Sequence, residues 1–199
     1  MKSLRGLCKA YKILQSQVQT HRITHRTEEE KREYIASWVK RTGIKTFIET
    51  GTYRGKTAKH MSTLVERCHT IELSQSLYEA ASEALGPHKN ITLHQGDSAT
   101  ILPAILAEID APALFWLDAH YSAGTTAGAE AHAPIETELS TIFRHPVKDH
   151  VVLIDDARDF IGMNGYPTIK RLKNLVRKTS GGYKMIINND IIIIYREDI

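Results

Sequence analysis

The stretch Thr46-Phe-Ile-Glu-Thr-Gly-Thr-Tyr-Arg-Gly-Lys56 constrains the fold more than any other part of the sequence. It reads as a short apolar strand over residues 46–48, a carboxylate at its end (Glu49), a tight turn containing Gly51 and Gly55, and a helix from Lys56. Strand, glycine turn and helix start together build a nucleotide-sized pocket at the carboxyl edge of a parallel sheet. Gly51 permits a conformation or a close approach that a Cβ would block, and Gly55 lets the helix pack near the strand. The spacing Gly-x-x-x-Gly differs from the Gly-x-Gly-x-x-Gly of dinucleotide binders, so a pyrophosphate is not the expected ligand. Lys56-Thr57 echoes the end of a phosphate-binding loop, but the upstream glycine that such a loop requires is absent.

Strand and helix patterns alternate through most of the remaining chain. Strands are predicted over residues 69–73, 91–95, 113–117 and 151–154. Helices are predicted over 56–67, 75–85, 100–109, 134–143 and 167–178. This alternation implies a doubly wound α/β fold, a mostly parallel sheet covered by helices on both faces. The rhythm breaks at the end, where residues 183–187 and 191–196 are apolar runs joined by Asn188-Asn189-Asp190, a hairpin signal. An antiparallel C-terminal hairpin strand is therefore expected. Upstream, Thr27 followed by Glu28, Glu29 and Glu30 is a capping signal for a helix that turns Tyr34, Ile35, Trp38 and Val39 inward and stops at Gly43. Residues 1–42 are read as an N-terminal helical extension and 43–199 as one ligand-binding domain.

Composition bounds the function. At 199 residues, 42% hydrophobic and 25% charged, the chain is expected to be an ordinary soluble domain. Two cysteines give neither a disulfide framework nor paired metal-ligand spacing. No apolar run reaches membrane-spanning length, and the first residues lack the apolar core of a secretory leader, so a cytoplasmic location is expected. The net charge of +3 conceals an asymmetry: residues 1–45 hold eleven Lys/Arg against four Glu, a net +7, which leaves −4 for the rest. A basic arm can serve nucleic acid, a membrane surface or an acidic substrate, or simply be a solvated helical face. The acidic body argues against an extended nucleic-acid groove.

Nearly every predicted strand carries a carboxylate where it ends: Glu49, Glu72, Asp97, Asp118 and the pair Asp155-Asp156. One such residue is an ordinary turn or helix-start feature. Repetition along one sheet edge is different, because gathered like charges are unfavourable unless a ligand or cation offsets them. Glu72 follows the glycine turn by about twenty residues at the end of the next strand, where a ribose diol would be gripped. The competing reading makes it part of a helix start capped by Ser74, and Ser98 beside Asp97 can equally be a cap.

These pieces together (Glu49-Thr-Gly-Thr-Tyr-Arg-Gly55, Ile71-Glu72-Leu73, Gly96-Asp97-Ser98, Phe115-Trp-Leu-Asp118 and the closing hairpin) resemble the class I S-adenosylmethionine-dependent methyltransferases over Gly43 to the C-terminus. The resemblance implies their Rossmann-like, seven-stranded sheet with one antiparallel strand. It also implies contacts to the methionine part of the cofactor from Glu49, Gly51, Tyr53, Gly55 and Thr57. Glu72 and Leu73 would take the ribose, Asp97 and Ser98 the adenine, and Asp118 would join them at the cofactor. Among these enzymes the acid after strand four and the pair after strand five are similar to the divalent-metal O-methyltransferases of the catechol and macrocin types. That similarity implies a metal, Mg²⁺ by its preference for hard oxygen ligands, at Asp118, Asp155 and Asp156. The alternative is that the aspartate pair caps the next segment while Arg158 neutralises it.

His120, two residues beyond Asp118, is a candidate general base and with Asp118 completes the expected catalytic pair. It is equally placed to be a ligand or a loop residue. The lysine that the catechol type carries after the strand-four acid is missing here. Leu117-Asp-Ala-His120 also resembles part of a ureohydrolase manganese site, but no companion motif accompanies it. The small, polar loop of residues 121–133 has the length of a lid or substrate loop, with Glu130 and His132 as candidate contacts. The function expected is methyl transfer to a hydroxyl of a small, sugar-like acceptor. The alternatives are an RNA or protein methyltransferase gripping through the basic arm, and a cofactor-binding or assembly protein without catalysis. A membrane partner is not expected, and homo-oligomerisation stays open.

Overall fold

The computed structural model describes residues 26–118, 134–163, 165–179 and 182–197. Helix α1 (Glu28–Thr42) opens with a reciprocal cap. The Glu30 amide donates to the Thr27 hydroxyl at 3.2 Å, and the Thr27 amide to the Glu30 carboxylate at 2.7 Å. The helix ends at Gly43, which takes a left-handed φ of 67°. Ile35, Trp38 and Val39 are buried as expected, with Ala36 beside them. Tyr34 is half-buried beneath the Arg26 guanidinium.

Six further elements alternate up to residue 107: β1 (Thr46–Thr50), α2 (Lys56–Met61), β2 (Arg67–Glu72), α3 (Gln75–Leu85), β3 (Ile91–Gln95) and α4 (Ser98–Ala107). There follow β4 (Ala113–Leu117), α5 (Ile135–Arg144), β5 (Val151–Ile154), a 3₁₀ turn (Ala157–Asp159), α6 (Ile169–Lys178), β6 (Tyr183–Asn188) and β7 (Ile191–Arg196). The strands form one seven-stranded sheet in the order β3-β2-β1-β4-β5-β7-β6. Both pairings of β7 are antiparallel and the other four are parallel, and the β6–β7 turn places Asn189 and Asp190 at φ 45° and 70°, the two left-handed residues a tight two-residue hairpin needs.

The three central strands are buried along their whole length, which is why β4 reads Ala-Leu-Phe-Trp-Leu without alternation. Period-two side-chain direction still divides them between two cores. Phe47, Leu114, Trp116, Leu153 and Ile193 face α1, α2 and α3. Ile48, Phe115, Leu117, Val152, Ile154 and Ile192 face α4, α5 and α6. The described part of the predicted N-terminal extension is thus packed into the sheet's own core, and Trp38 meets Tyr195 of β7 edge-on at 5.2 Å. Residues 1–25 lie outside the described residues. Among the described residues no helix is long and apolar enough to cross a membrane.

Several boundaries differ from expectation for identifiable reasons. The helix predicted over 56–67 stops at Met61. There the Ser62 and Thr63 hydroxyls donate back to the carbonyls of Lys59 and His60, and Asn90 fastens the turn by donating to the carbonyls of Ser62 and Val65. The freed chain lets β2 begin at Arg67 instead of residue 69. Helix α4 begins at Ser98, two residues early, because Asp97 accepts from the Ala99 amide at 3.0 Å and caps it. Strand β1 continues to Thr50, so Glu49 lies inside the strand and not at its end.

Candidate active site at the carboxyl edge of the sheet

The turn after β1 is held by its neighbours. The amides of Gly51 and Thr52 both donate to the Ile71 carbonyl of β2, and the Asp118 amide donates to Thr50. Gly51 has φ 100°, and a Cβ there would lie 2.7 Å from the Asp118 carbonyl oxygen. The close approach that demands glycine is therefore to the chain's own backbone at the end of β4. Gly55, at φ 67°, would press a Cβ onto Leu85 of α3 at 2.9 Å, so the close packing it permits is against that helix and not against the strand.

Glu72 ends β2 with its carboxylate turned toward this loop. One oxygen accepts from the Tyr53 amide at 2.8 Å and the other from the Ser74 amide at 2.9 Å. Glu72 thus sits between the glycine turn and the start of α3. Tyr53 and Leu73 on either side of it are exposed, 59% and 63%. Asp97 is spent on the α4 cap, and Ser98 is half-buried behind it. Thr57 lies in the first turn of α2, where its hydroxyl reaches Glu49.

Glu49 links the two halves of the edge. It is 2% exposed and accepts from the Thr70 hydroxyl at 2.7 Å, which in turn meets the Thr52 hydroxyl at 2.6 Å. Burial raises its pKa to about 8, hydrogen bonds from Thr70 and Thr57 opposing, with the charges of Asp118 on one side and Glu72 on the other adding to the rise. Burial and the two neighbouring carboxylates thus favour the protonated form of Glu49.

On the other side, Asp118, Asp155 and Asp156 converge. One carboxylate oxygen of each lies within 4.8 Å of the others. The convergence follows from the pairing of β4 with β5 and from the Asp155 amide donating to Leu117. Asp156 is buried in a left-handed conformation, φ 52°, that a non-glycine residue holds only when its surroundings dictate it. Backbone bonds flank it, the Ala157 amide donating to Asp190 and the Asp159 amide to Asp156, and Arg158 contacts its carboxylate at 2.8 Å and also Asp190 of the hairpin turn. Asp155 is buried against Lys31 of α1, whose ammonium is 2.7 Å from its carboxylate. Burial pushes the Asp155 carboxyl up while Lys31 opposes it; the lysine's own loss of hydration is outweighed by Asp155 and Glu28, which hold it charged. The carboxylates of Asp118, Asp155, Asp156, Asp190 and Glu28 against the cations Lys31 and Arg158 leave a formal −3. That charge and the all-oxygen donor set suit a hard divalent ion.

Two charged residues at this edge escaped the sequence reading. Lys31 gave no signal, since a lysine in the first turn of a capped helix is unremarkable. Glu138 did give one: Ile135, Leu139 and Ile142 mark the buried stripe of α5, and position 138 falls on it. Glu138 is fully buried, its oxygens meet no donor in strict hydrogen-bonding geometry among the described residues, and burial lifts its pKa to about 7. The hydroxyls of Ser98 and Thr50 lie close enough to temper the rise. His120, Glu130, His132 and the rest of the loop lie outside the described residues. An open groove of about 510 Å³ between α5 and α6, lined by Glu136, Thr168, Arg171 and Lys178, shares no residue with this edge.

No family model and no curated protein matches the chain. Solved structures do. An O-methyltransferase of Bacillus cereus, in complex with S-adenosylhomocysteine, aligns over 92% of this chain and 88% of its own at 15% identity, with a TM-score of 0.64. The O-methyltransferase TomG of Streptomyces achromogenes, involved in tomaymycin synthesis and solved with S-adenosylmethionine, aligns over 85% and 80% at 16% identity and a TM-score of 0.63. The S-adenosylhomocysteine-bound methyltransferase PaMTH1 of Podospora anserina aligns over 87% and 80% at 14% identity and a TM-score of 0.61. The fold of this chain is the Rossmann-like fold of these methyltransferases.

Proposed function

We propose that the chain is an S-adenosylmethionine-dependent O-methyltransferase, assisted by a divalent cation and acting on a hydroxyl of a small, sugar-like acceptor. The observation that carries this reading is the junction at Glu49, a buried residue that feels Glu72 on one side and Asp118 on the other, so that a nucleoside grip and an acid triad share one edge. When bound, the cofactor supplies an electrophilic sulfonium methyl and the cation supplies Lewis-acid stabilisation of an acceptor oxygen.

The chain's own residues do the positioning. The Glu72 carboxylate, fixed by the Tyr53 and Ser74 amides, presents its remaining lone pairs to a ribose diol. Tyr53 and Leu73 offer apolar walls beside it, while Gly51, Gly55 and Thr57 shape the methionine side. Asp97 and Ser98 edge the adenine position, and Glu49, which burial pushes toward its protonated form, lies between the Asp118 and Glu72 carboxyls. Asp118, Asp155 and Asp156 are the residues that would hold the cation, with Asp156 set by Arg158. His120, two positions past Asp118, is assigned to take the acceptor proton.

Incubation with methyl-labelled S-adenosylmethionine and a panel of sugar, catechol and RNA acceptors tests this reading. Label is expected to reach a hydroxyl of a small acceptor, to fall on chelation, and to fall about 10²-fold or more in Asp156→Asn and His120→Ala. Transfer to RNA only, or transfer indifferent to chelator and to Asp156→Asn, refutes it.

A further inference from the structure

Helix α1 brings a single ammonium group to the acid triad. Lys31 stands in its first turn, three residues after Glu28, and its side chain is only 13% exposed. The nitrogen lies 2.7 Å from Asp155 Oδ2, 4.0 Å from Asp156 Oδ1 and 3.0 Å from Glu28 Oε1. The other Asp155 oxygen accepts the Asp156 amide at 2.9 Å. A cation entering the triad therefore meets a carboxylate whose two oxygens are both engaged, one of them by a positive charge.

A divalent ion and an ammonium cannot both lie against Asp155 without strong repulsion in a site this dry. Resting on the metal reading above, we propose that Lys31 is a tethered cation that competes with the divalent ion for Asp155, holding the carboxylates together when the ion is absent and limiting the affinity for it. Lys31 has somewhere to go, because Glu28 is its second partner on the same helix and is largely exposed. The flexible four-carbon stem allows the ammonium to retreat onto Glu28 when an ion arrives. Arg158 is not its equivalent: its guanidinium bridges Asp156 and Asp190 and so is fixed from two sides. The consequence is that the N-terminal helix helps to set when the edge is loaded.

Mn²⁺ binding followed by the paramagnetic resonance of the free ion, with no turnover required, tests this in the full chain. Lys31→Met is expected to bind one Mn²⁺ at least about tenfold tighter than the wild type. Lys31→Arg, which keeps the charge, is expected to bind no tighter than wild type, and adding Asp155→Asn to Lys31→Met is expected to abolish the gain. Thermal unfolding without ion is expected to show Lys31→Met below wild type, with Mn²⁺ recovering the difference. Equal or weaker Mn²⁺ binding by Lys31→Met than by wild type overturns the inference and leaves the metal reading standing. No Mn²⁺ binding by wild type, Lys31→Met or Lys31→Arg overturns the metal reading itself, and the inference falls with it.

Discussion

Glu138→Gln tests how the carboxyl edge is built, because it swaps a buried acid for a neutral group of the same shape. Burial raises the Glu138 pKa from its ordinary 4.5 to about 7, a rise that the nearby Ser98 and Thr50 hydroxyls only partly offset. In the unfolded chain the group titrates at 4.5, so below that pH both states carry the proton and nothing is lost. As pH rises through 7 the folded state must either hold the proton against solution or bury a bare charge. About two and a half pKa units correspond to roughly 3 kcal/mol of folding stability, lost between pH 4.5 and about 7. For a chain of this size that is a shift of about 6–12 °C in Tm. Urea unfolding of wild type and Glu138→Gln at pH 5 and pH 8.5 gives the difference directly. The variant is expected to gain about 2.5 kcal/mol relative to wild type between the two pH values, since part of the loss is already present at pH 5, whatever its offset there from an unpaired amide. Parallel pH profiles for the two proteins would show that Glu138 finds a partner, and would refute the reasoning.

Two further perturbations probe the same frame. Gly51→Ala forces a Cβ to 2.7 Å from the Asp118 carbonyl at a φ of 100°, so the ends of β1 and β4 must part; a loss of about 2–4 kcal/mol in urea unfolding is expected, against well under half of that for Gly43→Ala, which has open space around it. His150 accepts from the Ala113 amide and passes its other ring nitrogen to His145, which reaches the Leu106 carbonyl, and this buried relay is complete only when both rings are neutral. Burial lowers the His150 pKa to about 4, so roughly 3 kcal/mol present above pH 6.5 is lost as pH falls to 4. His150→Asn should flatten that acid limb, and an unchanged limb would show that the relay does not control it.

The fold was legible because three independent signals agreed: apolar runs of strand length, acids and glycines where they end, and a hairpin that breaks the alternation. The β6–β7 hairpin was readable from two apolar runs joined by Asn188-Asn189-Asp190, since few pairs accept the two left-handed conformations that Asn189 and Asp190 take. The errors lie where local hydrogen bonding decides: hydroxyls of Ser62 and Thr63 cut α2 short, and a strand two residues longer moved Glu49 from the rim into the sheet. At the candidate site, adjacency in the sheet makes Asp118 and Asp155 neighbours, and adjacency was readable. The partners of those acids were not, because Lys31 and Asp190 arrive from positions more than thirty residues away in sequence, where no spacing rule reaches. Glu138 was readable in principle, as an acid on an apolar stripe.

Calorimetric titration with S-adenosylhomocysteine measures the nucleoside grip on which the functional reading depends. Wild type is expected to bind one molecule per chain, and Glu72→Ala, stripped of the carboxylate that the Tyr53 and Ser74 amides hold in place, to bind it about 10–100-fold more weakly. A wild type that gives no heat and no competition with S-adenosylmethionine, or a Glu72→Ala that binds as tightly as wild type, would contradict it.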